Sequence, residues 1–200
     1  MKLIKLIPFH YLILTFSLTL LLSISGLGIR LQKAPDSWPR VLSYFTDVPD
    51  GFVKVLDTID GDTLTVLVNG KEESVRLLGV DTPETKDPRR GAQCFGREAA
   101  KYTKLALMGR AVRLESDPVE TDRDKYNRLL RYVYLEDGLL FNELLVQEGY
   151  AFAYERYPTT RMERLKKLEE YAKANHKGLW SNCETTVKDN GKSKSTQTVE

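Results

Sequence analysis

Histidine and cysteine are nearly missing from this sequence, with two of each in 200 residues. His10 falls in an apolar N-terminal stretch and His176 at the end of a candidate helix, so the nitrogen and sulfur ligand set of a zinc site is not available. A bias of charge is missing too. Lys and Arg number 30, Asp and Glu 28, and Lys2 and Lys5 are the only charged residues before residue 26, so a chain cut there would be neutral overall. Bulk charge therefore gives no sign of a polyanionic partner. Any such case rests on where individual arginines and carboxylates fall, since a neutral protein can still focus positive potential in one cleft. No internal repeat is visible. With roughly thirty residues at the start and fifteen at the end lacking a globular pattern, the rest suits one domain of ordinary size.

Charge is absent from Tyr11 to Ile29, a leucine-rich run preceded by Lys2 and Lys5. Residues 1–30 therefore have the pattern of an export signal or an uncleaved membrane anchor, with Ser23 and Ser25 as small residues ahead of a candidate cut after Ser25. A buried amphipathic helix is the competing reading, and the run has no polar face to give it. Lysines before the run and Arg30 alone just after it favour an N-terminus on the inside. The domain is thus expected outside the cytoplasm, secreted or anchored, with membrane contact only through that segment. Such a setting permits Cys94 and Cys183 to pair, while two separate buried thiols are the alternative.

Residues 31–51, with Pro35, Pro39 and Pro49, read as a linker, and a domain is expected over 52–184. Val53–Thr58, Thr63–Val68 and Ser74–Val80 read as a three-strand meander, joined by turns at Asp60-Gly61 and Asn69-Gly70. Helical spacing follows over Gly96–Met108, then strand character at Val112–Glu115 and Leu129–Leu135. A second helix is expected from Asn142, taken as its cap, to Gly149. A third starts at a capping box of Thr160 and Glu163, carries Met162, Leu165, Leu168 and Ala172 on its apolar stripe, and stops at Lys177-Gly178. Residues 185–200 have little apolar surface and read as a disordered tail. The outline is α+β, mainly β: a five-stranded Greek-key barrel of the oligonucleotide-binding (OB) kind with three helices.

Three clusters carry chemistry: Asp60-Gly61-Asp62-Thr63, Arg76 to Glu84, and Asp124-Lys125-Tyr126-Asn127-Arg128. Alone, the first reads as a hairpin tip, Asp-Thr-Pro-Glu in the second as a helix start, and the third as a solvated loop. Together, the order and spacing of IDGDT, RLLGVDTPE and DKYNRLLRYVY, then NELLVQEGYA and a closing GLW, closely resemble the staphylococcal nuclease family across residues 53–182.

That resemblance implies a five-stranded oligonucleotide-binding barrel with three helices, one Ca2+ ion, and hydrolysis of DNA and RNA without strict sequence preference. It matches Asp62, Asp81 and the Thr82 carbonyl to the metal ligands, an oxygen set that suits a hard cation, with Asp60 behind them. It matches Glu84 to the residue that activates or orients the attacking water, and Arg76 and Arg128 to the phosphate-gripping pair. Lys125 and Tyr126 match positions beside the nucleotide's terminal phosphate. Tyr154 could flank a base or sugar. The AFAYERYP segment departs from the family by about one residue, which leaves Tyr154 and Tyr157 as alternatives. Asn127 stands where the family carries glycine, and asparagine also tolerates positive φ. Exported relatives carry a cysteine pair before the first helix and after GLW, which implies a Cys94–Cys183 disulfide. The rival readings are a catalytically silent nucleic-acid-binding module and a membrane-tethered scaffold. Retention of Asp62, Glu84 and both arginines argues against each, and monomer is the default state.

Overall fold

The computed structural model describes residues 48–85, 91–188 and 192–199. The export or anchor segment and most of the linker lie outside those residues. Strands β1 (Val53–Thr58), β2 (Thr63–Val68) and β3 (Lys71–Leu77) form the expected meander, antiparallel throughout. Asn69 and Gly70, with φ of 49° and 76°, make the two-residue turn whose twist suits a hairpin. Strand β3 ends at Leu77, three residues earlier than the sequence suggests. The chain turns at Leu78-Gly79 and pairs again as a two-residue strand, β4 (Val80–Asp81).

After β5 (Ala92–Gln93) come helix α1 (Gly96–Leu107), β6 (Ala111–Glu115) and β7 (Leu129–Tyr134). The barrel closes in the order β1-β2-β3-β7-β6, with β3 and β7 parallel. This is the expected five-stranded oligonucleotide-binding barrel. Its interior is filled by alternating residues of the strands, among them Val55, Leu64, Val66, Val75, Leu77, Val112 and Val133, all essentially without exposure. Helix α2 (Phe141–Gln147), strand β8 (Phe152–Ala153), helix α3 (Met162–Ala174) and a single turn, α4 (Leu179–Asn182), complete the body, giving four helices among the described residues where three were expected in the domain. Tyr102 of α1 stacks on Tyr150 at 4.1 Å, tying the first helix to the segment after the second.

Two expected helix caps do other work. Asn142 is fully buried in the first turn of α2, where its Oδ1 accepts from the Val133 N–H and its Nδ2 donates to the Leu78 carbonyl. It joins helix to barrel, because a buried amide is held wherever both of its ends find partners. Thr160 forms no capping box. Its N–H and hydroxyl both donate to Asp117 Oδ2, which also accepts from the Tyr132 hydroxyl. Helix α3 starts one residue later, without a side-chain cap.

The expected tail is structured over 185–188 and 192–199. It forms β9 (Thr185–Lys188), β10 (Ser193–Thr196) and β11 (Thr198–Val199), with β9 paired to β10 and β11 to β5. Composition misjudged it because its ordering comes from hydrogen bonds and one buried lysine rather than from apolar surface. The chain enters this segment through a Cys94–Cys183 disulfide, with Cα atoms 5.9 Å apart and a sequence separation of 89. Opening that bridge with reductant should lower unfolding stability by about 4 kcal/mol in the chain-entropy account, read from the denaturant midpoint with and without reductant. An unchanged midpoint would show that the cross-link constrains nothing in the unfolded chain.

Candidate active site

Turn, strand end and loop converge on one cleft of about 630 Å³, lined by Asp60, Asp62, Arg76, Asp81, Glu84 and Arg128 among others. The Asp60-Gly61-Asp62 turn is fixed from below: buried Thr103 of α1 donates to the Gly61 carbonyl at 2.7 Å, and Leu77 N–H donates to the Asp62 carbonyl at 2.9 Å. Asp60 Oδ1 accepts from the Asp62 N–H at 3.0 Å, a short-range bond typical of such a turn. Asp62 is 6 % exposed, and its Oδ2 accepts from both the N–H and the hydroxyl of Thr82 at 2.9 and 3.1 Å. Thr82 thereby braces the carboxylate. Residues 82–84 are not helical, so Asp-Thr-Pro-Glu is no helix start, and Glu84 lines the cleft.

Arg76 sits among the carboxylates. Its Nη1 lies 3.1 Å from Asp62 Oδ2 and donates to the carbonyls of Val80 and Leu77, while Nη2 donates to Asp81 Oδ1 at 2.9 Å. Burial opposes its charge, but Asp62, Asp81 and Asp60 outweigh burial and push its pKa up. One guanidinium does not neutralise three carboxylates. Burial, then the charge of Asp62, pushes Asp60 up to about 6. Burial, with Asp62, Glu84 and Asp60 adding to it against Arg76, pushes Asp81 up to about 7. Crowded negative charge partly withdrawn from water takes up either protons or a cation.

Among the described residues no three His, Cys, Asp or Glu side chains are arranged to hold an ion by themselves. The donor set is oxygen only, which fits a hard divalent cation bound by Asp62, Asp81 and the Thr82 carbonyl, with water and substrate supplying the rest.

Arg128 faces this cluster from the loop before β7. Its Nε and Nη2 both reach Asp124 Oδ2 at 2.7 Å, and Nη1 points to Thr63 Oγ1 at 3.4 Å. Asp124 Oδ1 takes the N–H groups of Tyr126 and Arg128 at 2.9 Å, closing a turn in which Asn127 has φ 65°. Asparagine thus fills the glycine position as expected. Burial acts against the charge of Asp124, but the Arg128 and Tyr126 contacts outweigh it and hold its carboxyl below the ordinary range.

Lys125 and Tyr126 rim the cleft, with Lys125 Nζ 4.9 Å and the Arg128 guanidinium 5.4 Å from the exposed Tyr126 ring. Tyr154 and Tyr157 both line it, their ring centres 5.9 Å apart, and Tyr154 lies 5.9 Å from the Arg76 guanidinium. Of the candidate metal and substrate residues only Thr82, buried and bonded to Asp62, is not in the cleft wall. Arg123 and Arg156 line it as well and were missed. Arg123 stands directly before the Asp124 cluster, and Arg156 within the AFAYERYP segment, so adjacency was the signal for both.

A closed barrel carrying a cleft of clustered carboxylates and two inward arginines has the residue types that hydrolysis of a phosphodiester calls for: oxygen donors suited to a hard cation and guanidinium groups suited to phosphate. Residues 74–182 match the family described as Staphylococcal nuclease homologue. The chain is 38 % identical over 155 residues to a Thermonuclease from Staphylococcus hyicus, covering 77 % of this chain and 90 % of that one. It is 39 % identical over 137 residues to a Thermonuclease from Staphylococcus intermedius, covering 68 % and 79 %. Endonuclease YncB from Bacillus subtilis (strain 168) is 43 % identical over 125 residues, 62 % of this chain and 58 % of its own length. The chain belongs to the staphylococcal nuclease family and is a nuclease, a hydrolase of nucleic acids.

Proposed function

We propose that the enzyme is a calcium-dependent nuclease that hydrolyses DNA and RNA with little sequence preference. It cuts the 5′ P–O bond to leave 3′-phosphate ends, and it acts as a monomer. The observation that carries this reading is the meeting of Asp62, Asp81, Glu84, Arg76 and Arg128 in one cleft. Calcium, when bound by Asp62, Asp81 and the Thr82 carbonyl, supplies Lewis acidity toward a phosphoryl oxygen and a template for the substrate. Glu84 orients the attacking water and takes its proton. Arg76 and Arg128 donate to the phosphoryl oxygens as negative charge builds on them. An arginine pKa above ~12 makes Arg128 a clamp rather than an acid, so water protonates the leaving oxygen. Lys125 and Tyr126 hold the adjoining phosphate, and Tyr154 offers a face on which any base can stack.

Full-length protein should degrade single-stranded DNA and RNA when calcium is supplied and stop when a chelator is added. Asp81→Ala should raise the calcium needed for half-maximal activity. In the parent, calcium affinity should strengthen as pH rises through about 6 to 7, because Asp60 and Asp81 lose protons there and the ion binds the charged forms. Titration of activity against calcium at pH 6 and pH 8 measures both. Chelator-insensitive cleavage would refute the calcium assignment, and end-labelled products with 5′-phosphates would refute the cut position.

The run from Tyr11 to Ile29 supports delivery outside the cytoplasm. N-terminal sequencing of protein from producing cells should find a new terminus near Gly26, or Met1 in the membrane fraction. Intact soluble protein in the cytoplasm would contradict export.

A further inference from the structure

The C-terminal hairpin lies beyond the span matched to the family, residues 74–182, yet it is built into the domain from both sides. On one side is Lys194, whose side chain is 8 % exposed. Its Nζ donates to both oxygens of Glu169 at 3.1 and 3.0 Å, to Glu155 Oε1 at 3.0 Å and to the Ala153 carbonyl at 3.1 Å. A buried ammonium with all its protons engaged holds only where its partners are fixed, and Glu169 is fixed in α3.

On the other side the hairpin meets the strand that follows the cleft segment. Thr196 is buried, and its hydroxyl donates to the Cys94 carbonyl at 2.7 Å. The Cys94 N–H donates to the Gln197 carbonyl at 2.8 Å, and Thr198 pairs with Gln93 in the β11–β5 ladder. Gln93 in turn holds both backbone groups of Glu84: its N–H donates to the Glu84 carbonyl at 2.8 Å, and its Oε1 accepts from the Glu84 N–H at 2.8 Å. The contact continues at Gly96, where a Cβ would meet the Glu84 carbonyl oxygen at 2.5 Å, so only glycine lets this segment lie so close.

We propose that residues 193–199 are a positioning strap for the reaction, with Gln93 as the residue through which it acts. Lys194 and Thr196 fix the strap, the strap fixes Gln93, and Gln93 sets where Glu84 stands at the edge of the cleft. The two bonds from Gln93 fix the main chain from which the Glu84 side chain projects. The proposal rests on the reading of Glu84 as the residue that orients the water. Misplacement of such a group by an ångström is enough to cost up to about a hundredfold in rate.

The test uses the full-length protein and a single-stranded DNA substrate. Gln93→Met removes the acceptor at similar length and should lower kcat roughly tenfold with KM unchanged to within about twofold. Gln93→Glu keeps an acceptor and should recover most of that loss. Thr196→Val, which loosens the strap without touching Gln93, should lower kcat about threefold, again with KM unmoved. In a Glu84→Ala background neither Gln93→Met nor Thr196→Val should cause further loss, because the residue they act through is gone. Losses that multiply with Glu84→Ala would show that Gln93 acts through something else and overturn the proposal, as would parental kcat in Gln93→Met. If Glu84→Ala alone leaves turnover intact, the role of Glu84 falls and the strap's catalytic purpose falls with it. That result is distinct from a sound Glu84 with an indifferent Gln93.

Discussion

Arg128→Ala should lower kcat on single-stranded DNA by about two to three orders of magnitude while leaving the fold close to its parental stability. The two halves of this expectation have separate causes. Asp124 occupies Nε and Nη2 of Arg128, which orients the guanidinium plane and leaves Nη1 toward Thr63 and the cluster around Asp62. A fork held in place before substrate arrives does not have to be reorganised as charge builds on the phosphate, and that is where a donor has its largest effect on rate. Stability responds little, because the Arg128 side chain is 28 % exposed and its pair with Asp124 lies within one loop; such ion pairs contribute about 1 kcal/mol or less. Arg128→Lys should recover little of the turnover, since an ammonium cannot make paired bonds to Asp124 and to phosphate from one plane. Steady-state kinetics with a thermal melt on the same preparations decides it. A loss smaller than about fivefold would remove Arg128 from the chemistry and leave it a loop anchor.

Sequence legibility followed distance along the chain. Asp60, Asp62, Arg76, Asp81, Glu84 and Arg128, which meet in the cleft, stand in three short motifs, and each motif was visible from its own residue types. The barrel was visible because Val53–Thr58, Thr63–Val68 and Leu129–Tyr134 are short β-rich runs and the turns are marked by Asn69-Gly70 and Asp60-Gly61. Residues whose work is done on a distant partner were not visible. Thr103 is a threonine on a helix until the Gly61 carbonyl is seen 2.7 Å from its hydroxyl, 42 residues away in sequence. Asn142 and Thr160 had the residue types of caps, but Val133, Leu78 and Asp117 offered buried partners that outcompeted the local ones. Lys194 looked like part of a solvated tail because composition registers its charge and not the two glutamates that enclose it. The disulfide lies between these cases. Its two cysteines were legible and their proximity was not, so the family resemblance supplied the pairing and the fold confirms it.

Arg76→Ala should cost more than Arg128→Ala, and in two ways that can be separated. Turnover should fall by about three orders of magnitude or more, because a phosphate-facing donor is lost and the carboxylates beside it lose the group that orients them. Stability should fall as well, by about 3 kcal/mol near pH 8 in the absence of calcium, since Asp62 is almost wholly buried and would be left without its counter-charge. That figure is the lower end of the usual range because Asp81, the other partner, is about a third exposed and is screened by water. The pH dependence follows from the carboxylates. Asp60 and Asp81 already have pKa values raised to about 6 and about 7, and removing the nearby cation moves both further up. A raised carboxylate pKa means that the folded form is favoured while the group is protonated and that this advantage is lost as pH rises through the folded value. The variant should therefore be nearest to the parent in stability at about pH 4 to 5 and furthest from it above pH 7. If calcium binds Asp62 and Asp81 as proposed, it restores positive charge at the same place and should recover part of the lost melting temperature at pH 8 without recovering turnover. Arg76→Lys should behave in the same divided way, regaining stability through its charge and little activity for want of the second donor pair. Melts across pH with and without calcium, set beside kcat, measure each half. If Arg76→Ala melts like the parent at pH 8 without calcium, the carboxylates do not depend on Arg76 for their charge, and the cleft is not held together by the electrostatics derived from it.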